Sequence, residues 1–258
     1  MWVLVGVTGL STLLLLPFFR LGTIENHLLL IPKGLLVALS WISGLIAMKT
    51  LPLTTISTIK ASRPVFVVLL SILLFGEVLN LWQWLGVTMV FTALWMLSRS
   101  SEKEGISFKK NKGIWWIIIS VFSGVASALY DKQLVSRVEM DPMFVLCWSN
   151  LYILIILCIV LGARRLTGKY HNQTAPERFQ WDWNLLFTAI IIVAADALYF
   201  QALAQEGSML SIVSMIRRCS VVVTFIGSAI LFKEHNIKGK AIDLAILLSG
   251  VAILVFLS

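Results

Sequence analysis

The stretch 54-TTISTIKASRPVFVVLLSILLFGE-77 decides the reading of this chain, because it returns in faint copy as 211-SIVSMIRRCSVVVTFIGSAILFKE-234. In register, Ser57 falls on Ser214, Ile59 on Ile216, Lys60 on Arg217 and Val65 on Val222. Ser71 then falls on Ser228, Leu74 on Leu231, Phe75 on Phe232 and Glu77 on Glu234. Both copies are apolar runs of membrane-crossing length, and both hold fixed positive charge well inside. A charge in hydrocarbon is expensive, so its default reading is functional. Its recurrence at one level of two copies points to a repeat transporter with its site where the repeats meet.

The composition agrees. Of 258 residues, 59% are hydrophobic and 13% charged, and the mean hydropathy is +0.91. Apolar runs of about 20 residues recur along the whole length, the pattern of helices that cross a bilayer. The alternation of a membrane β-barrel is absent. The expected class is therefore all-α, a polytopic membrane protein whose first partner is the lipid bilayer. The net charge of +8 is placed mostly in short connectors, where topology explains it, so no nucleic-acid partner is expected. Cys147, Cys158 and Cys219 lie in apolar runs at no metal spacing, and His27, His171 and His235 are scattered over connectors. No metal and no cofactor are expected.

Nine spans are expected, at about 2–19, 33–48, 51–75, 81–97, 114–135, 143–161, 185–204, 209–232 and 241–257. Trp82, Trp84, Trp115, Trp116, Trp181 and Trp183 sit at span ends, as an interfacial aromatic belt requires. Matching the copies pairs the third span with the eighth and leaves the fifth without a mate. The first repeat, 1–99, is then expected to hold four helices and the second, 114–258, five, with a polar connector at 100–113. Two repeats of five would give ten spans, so on this reading either the first helix is lost or Met1 is an internal start. Lys and Arg crowd the connectors after the fourth, sixth and eighth spans, including Lys233, Lys238 and Lys240, and the positive-inside rule puts that face in the cytoplasm.

The charges within spans form the candidate site. Lys60 and Arg63 lie near the middle of the third span, where Pro64 should kink the helix and open a backbone carbonyl. Arg217 and Arg218 hold the matching level of the eighth span. Asp196 lies midway along the seventh, with Tyr199 one turn on, and Tyr130 near the end of the fifth. Four cations against one anion imply a polar, positively charged cavity in which a carboxylate or phosphate is held well by guanidinium forks. The alternative is structural: Asp196 pairing with an arginine as a helix clamp. Asp131 and Lys132, near a helix end, are expected to mark the interface. Glu77 and Glu234 are expected to cap tight connectors.

Arg63-Pro64, then Phe75-Gly76-Glu77, then Gln83 and Gly86 resemble the EamA-type branch of the drug/metabolite transporter superfamily. The resemblance covers nearly the whole chain as two repeats, with Pro64, Gly76, Glu77, Gly86 and Glu234 as its structural motif positions. Val221 stands where the second proline would fall, and Lys233 replaces the glycine before Glu234. The resemblance implies an inner-membrane permease of ten helices in two inverted repeats that moves a small molecule by alternating access from a central cavity. It also implies both ends inside, the reverse of the placement the connector charges give.

The function expected is secondary transport of a small anionic or zwitterionic metabolite, with Lys60, Arg63, Arg217, Arg218, Asp196, Tyr199 and Tyr130 lining the path. Proton coupling and homodimerisation are left open. An alternative is a non-transporting or truncated membrane subunit. A membrane-embedded transferase is disfavoured, because paired aspartates for a metal-bound diphosphate and a catalytic histidine are both absent.

Overall fold

The computed structural model describes residues 1–63, 65–67, 69–70, 80–102, 111–166, 181–204, 223–227, 230 and 237–256. Regular structure among them is helical. In chain order the helices are α1 (Trp2–Leu15), α2 (Ile24–Met48), α3 (Leu53–Ala61), α4 (Leu81–Glu102), α5 (Lys112–Lys132), α6 (Pro142–Leu166), α7 (Trp183–Ala204) and α8 (Ile237–Phe256). The segments Ile24–Met48, Lys112–Val135, Pro142–Ala163 and Trp183–Ala204 are long and apolar enough to cross a bilayer.

The second span begins at Ile24 rather than near residue 33. Glu25, Asn26, His27 and Pro32 dilute the apolar pattern there, yet Pro32 sits inside a continuous helix. A proline removes one N–H from the ladder without ending the helix when neighbouring groups satisfy the freed carbonyls. The carbonyl freed by Pro32 is that of Leu28; at the next residue the Tyr130 hydroxyl donates to the Leu29 carbonyl at 2.9 Å.

α3 is buried almost all round, at Thr54, Thr55, Ile56, Ser57, Thr58, Ile59 and Ala61. A helix this rich in hydroxyls can enter an apolar interior because they bond to their own backbone. Ser57 Oγ and Thr58 Oγ1 donate to the Thr54 carbonyl at 2.8 and 2.9 Å, and Ser62 Oγ to the Ile59 carbonyl at 2.6 Å. At Ser62 the ladder tightens: its N–H bonds the Ile59 carbonyl, and the Val65 N–H bonds the Ser62 carbonyl. The irregularity expected from Pro64 is thus visible on both sides of it, although Pro64 itself lies outside the described residues.

The chain forms two compact units, each drawing on both halves of the sequence. The first is Met1–Ala38 with Tyr130–Gly207, the second Leu39–Leu129 with Ser208–Ser258. In the first, α1 packs on α6 and α7, around Val7, Leu185 and Ala189. In the second, α4 and α8 lie along one another, with Val87, Val90 and Ala93 meeting Leu244, Leu247 and Val251. Their backbones approach closely, since a Cβ on Gly250 would fall 2.9 Å from the Gly86 carbonyl oxygen. Phe187, Ile191 and Leu198 of α7 are well exposed, as suits a helix solvated by lipid. The six tryptophans at span ends are exposed as well.

Candidate functional site

Two of the expected cations meet in the second unit. Lys60, in the last turn of α3, and Arg63, just past it, are half-buried. They face small residues on α2 and α5. The Arg63 guanidinium donates through Nη2 to Ser40 Oγ at 3.1 Å and to the Ser120 carbonyl at 3.0 Å. Those serines also clasp each other: Ser40 Oγ donates to the Ser120 carbonyl at 2.8 Å, and Ser120 Oγ to the Ser40 carbonyl at 2.7 Å. Two glycines make the room. A Cβ on Gly124 would lie 2.5 Å from Arg63 Cζ, and one on Gly44 would lie 3.1 Å from Lys60 Nζ. These serine and carbonyl oxygens are hydrogen-bond acceptors that orient the guanidinium. A planar fork fixed in this way is suited to a carboxylate or phosphate.

The other described candidates belong to the first unit. Tyr199 is buried, its ring edge-on to Phe200 at 5.4 Å. Asp196, one turn earlier on α7, is half-buried. Tyr130 spends its hydroxyl on the Leu29 carbonyl. Arg217, Arg218, Pro64, Gly76, Glu77 and Glu234 lie outside the described residues. Gly86 lies in α4 at the close approach to Gly250.

Three arrangements escaped the sequence reading. Asp131 does not mark an interface: it is 6% exposed and forms an ion pair with Lys33 of α2, itself 4% exposed. The Lys33 ammonium also stands over the Phe200 ring, 4.7 Å from its centroid. The tally of four cations and one anion therefore omitted a buried pair. The signal was Lys33 itself, inside the apolar run LLLIPKGLLVAL, since a lysine there demands a partner.

Lys240 is likewise no connector residue. It is fully buried in α8 and donates to Thr54 Oγ1 at 3.0 Å, with Asp243 buried one turn on. His27 sits in α2 rather than a connector. Its Nδ1 is 3.1 Å from Tyr152 Oη, and its ring is edge-on to Trp148 at 4.3 Å. Among the described residues no group of His, Cys, Asp and Glu is placed to hold a metal ion.

A solved crystal structure of a protein shares the fold, with a TM-score of 0.62 over 100% of this chain and 89% of that one, at 14% identity. Among curated proteins none matches in sequence. The sequence profile of the EamA-like transporter family matches residues 1–99 and 111–256. Apolar helices, intramembrane cations and a match over nearly the whole chain meet in one conclusion: this integral membrane protein belongs to the EamA-like transporter family, the membrane transporters of the drug/metabolite superfamily.

Proposed function

We propose that the chain is a secondary carrier of a small anionic or zwitterionic metabolite, working by alternating access in a plasma membrane, the inner membrane of a bacterium. The observation that carries this reading is Arg63: a half-buried guanidinium, seated against Gly124 and oriented by neutral oxygens of Ser40 and Ser120. Lys60 adds a second charge at Gly44. Arg217 and Arg218, at the matching level of the second copy, would supply the other part of the positive field. Asp196 would receive the amine of a zwitterion, and Tyr130 and Tyr199 would line the path. The segments 1–99 and 114–258 would act as inverted repeats that rock about the site.

The same Arg63 bonds tie α2 to α5, which favours a rival reading as a helix clamp in a non-transporting subunit. Proteoliposomes offered a panel of labelled amino acids, dicarboxylates and sugar phosphates separate the two. The carrier reading expects wild-type uptake of at least one panel member. It expects that uptake to be lost in Arg63→Ala and Arg217→Ala variants that still fold, and partly kept in Arg63→Lys. Unchanged uptake by folded Arg63→Ala protein would reject the role of Arg63.

A further inference from the structure

The Lys33–Asp131 pair has no part in the anion site just proposed. It is almost fully buried inside the first unit. Lys33 sits next to a proline within α2, Pro32. Asp131 sits next to the end of α5, two residues before the π-helical turn Gln133–Arg137. That π turn closes α5, a usual place for such turns. Taking each charge out of water costs several kcal/mol, offset only while the two remain together. Such a pair joins α2 to α5 firmly in one state and poorly in another.

The ligand able to change that state is a proton, small enough to reach a carboxylate this enclosed. Bound to an Asp131 oxygen, it adds one positive charge to the site. The Phe200 ring face beneath Lys33 favours keeping the ammonium charged once Asp131 is neutral. Other described ionisable groups lie on the packed elements. Tyr130, beside Asp131, is bonded to Leu29, and Tyr152 of α6 faces His27. Lys132 and Arg137 are exposed. From α7, which packs on the π turn, come Asp196 and Tyr199, and Asp196 shares a face with Phe200 at a spacing of four.

We propose that Asp131 is a proton-binding site, and that its protonation breaks the Lys33 ion pair and lets α2 move against α5 at Pro32 and the Gln133–Arg137 turn. Use of this proton to drive transport rests on the carrier reading; the site itself does not.

Infrared difference spectroscopy of the protein in lipid bilayers tests it, the probe being the proton. On acidification from neutral pH the wild type should gain a protonated-carboxyl C=O band, absent in D131N and displaced in D131E. K33M should show that band already at neutral pH, because an isolated buried carboxylate takes the neutral form. A D131N difference spectrum superposable on the wild type overturns the proposal. If D131N does not fold, K33M without a neutral-pH band does so. If neither folds, D131E decides, and a band unmoved from the wild type overturns it. No transport is needed for this measurement, so the failure of the carrier reading would appear separately, as absent uptake.

Discussion

Adding one methyl group at Gly124 should displace the guanidinium on which the transport reading rests. A Cβ there would lie 2.5 Å from Arg63 Cζ, 2.6 Å from Nη1 and 2.8 Å from Nη2. Ordinary carbon contacts settle at about 3.5–4.0 Å, so the head group must retreat by about 1 Å. That stretches the Nη2 bonds to Ser40 and Ser120, now 3.1 and 3.0 Å, past the range of hydrogen bonding. Each bond from a charged donor contributes about 1.5–3 kcal/mol. The arginine tail is flexible and recovers part of this elsewhere, and alanine returns up to about 1 kcal/mol of helix propensity. A net loss of about 2 kcal/mol is expected for Gly124→Ala, a factor of about 30 in the unfolding equilibrium. Unfolding in mixed bicelles, followed by tryptophan fluorescence, reads the stability, and proteoliposome uptake reads the function. Uptake should fall at least tenfold. Combined with Ser40→Ala the losses should not add, because both act on one bond. Gly162→Ala is the control, as nothing lies within 4 Å of a Cβ there. Wild-type stability and uptake in Gly124→Ala, or strict additivity with Ser40→Ala, would refute the reasoning.

Other substitutions probe the frame. Gly250→Ala drives a Cβ to 2.9 Å from the Gly86 carbonyl and 3.0 Å from Met89 Cβ, where backbone cannot swing aside. It should cost about 1–3 kcal/mol in thermal unfolding in detergent. Lys33→Ala leaves Asp131 buried without its lysine, so that it must take up a proton, and should cost about 3–5 kcal/mol, most of it restored in the double variant Lys33→Met/Asp131→Asn. The same bicelle titration measures both. Tyr130→Phe removes the bond to Leu29 and should cost about 1 kcal/mol, with hydrogen exchange rising around Pro32.

The sequence made the membrane class and most spans legible because hydropathy and length act locally. It misjudged elements whose logic is tertiary. The start of α2 is hidden in the sequence because Glu25, Asn26, His27 and Pro32 look like a connector, and the contacts of Tyr152 with His27 and of Tyr130 with the Leu29 carbonyl come from other helices. Lys240 was counted with the basic connector residues because its partner Thr54 lies 186 positions away. Asp131 was read as an end marker because Lys33 is 98 positions distant. Lys60 and Arg63 were legible as costly charges, but not the glycines that seat them. Gly44 and Gly124 show as a fitted notch only when the helices are brought together.

The central claim is that Lys60 and Arg63 line a water-filled path within the membrane. Thiol accessibility tests it directly. With Cys147, Cys158 and Cys219 replaced by serine, Lys60→Cys and Arg63→Cys proteins in vesicles are treated with a charged, membrane-impermeant methanethiosulfonate. The account predicts rapid modification at both positions, slowed in the Lys60→Cys protein, where Arg63 is intact, by whichever panel anion the wild type takes up. Folded protein that stays unmodified at both positions, from either side of the membrane, would contradict it.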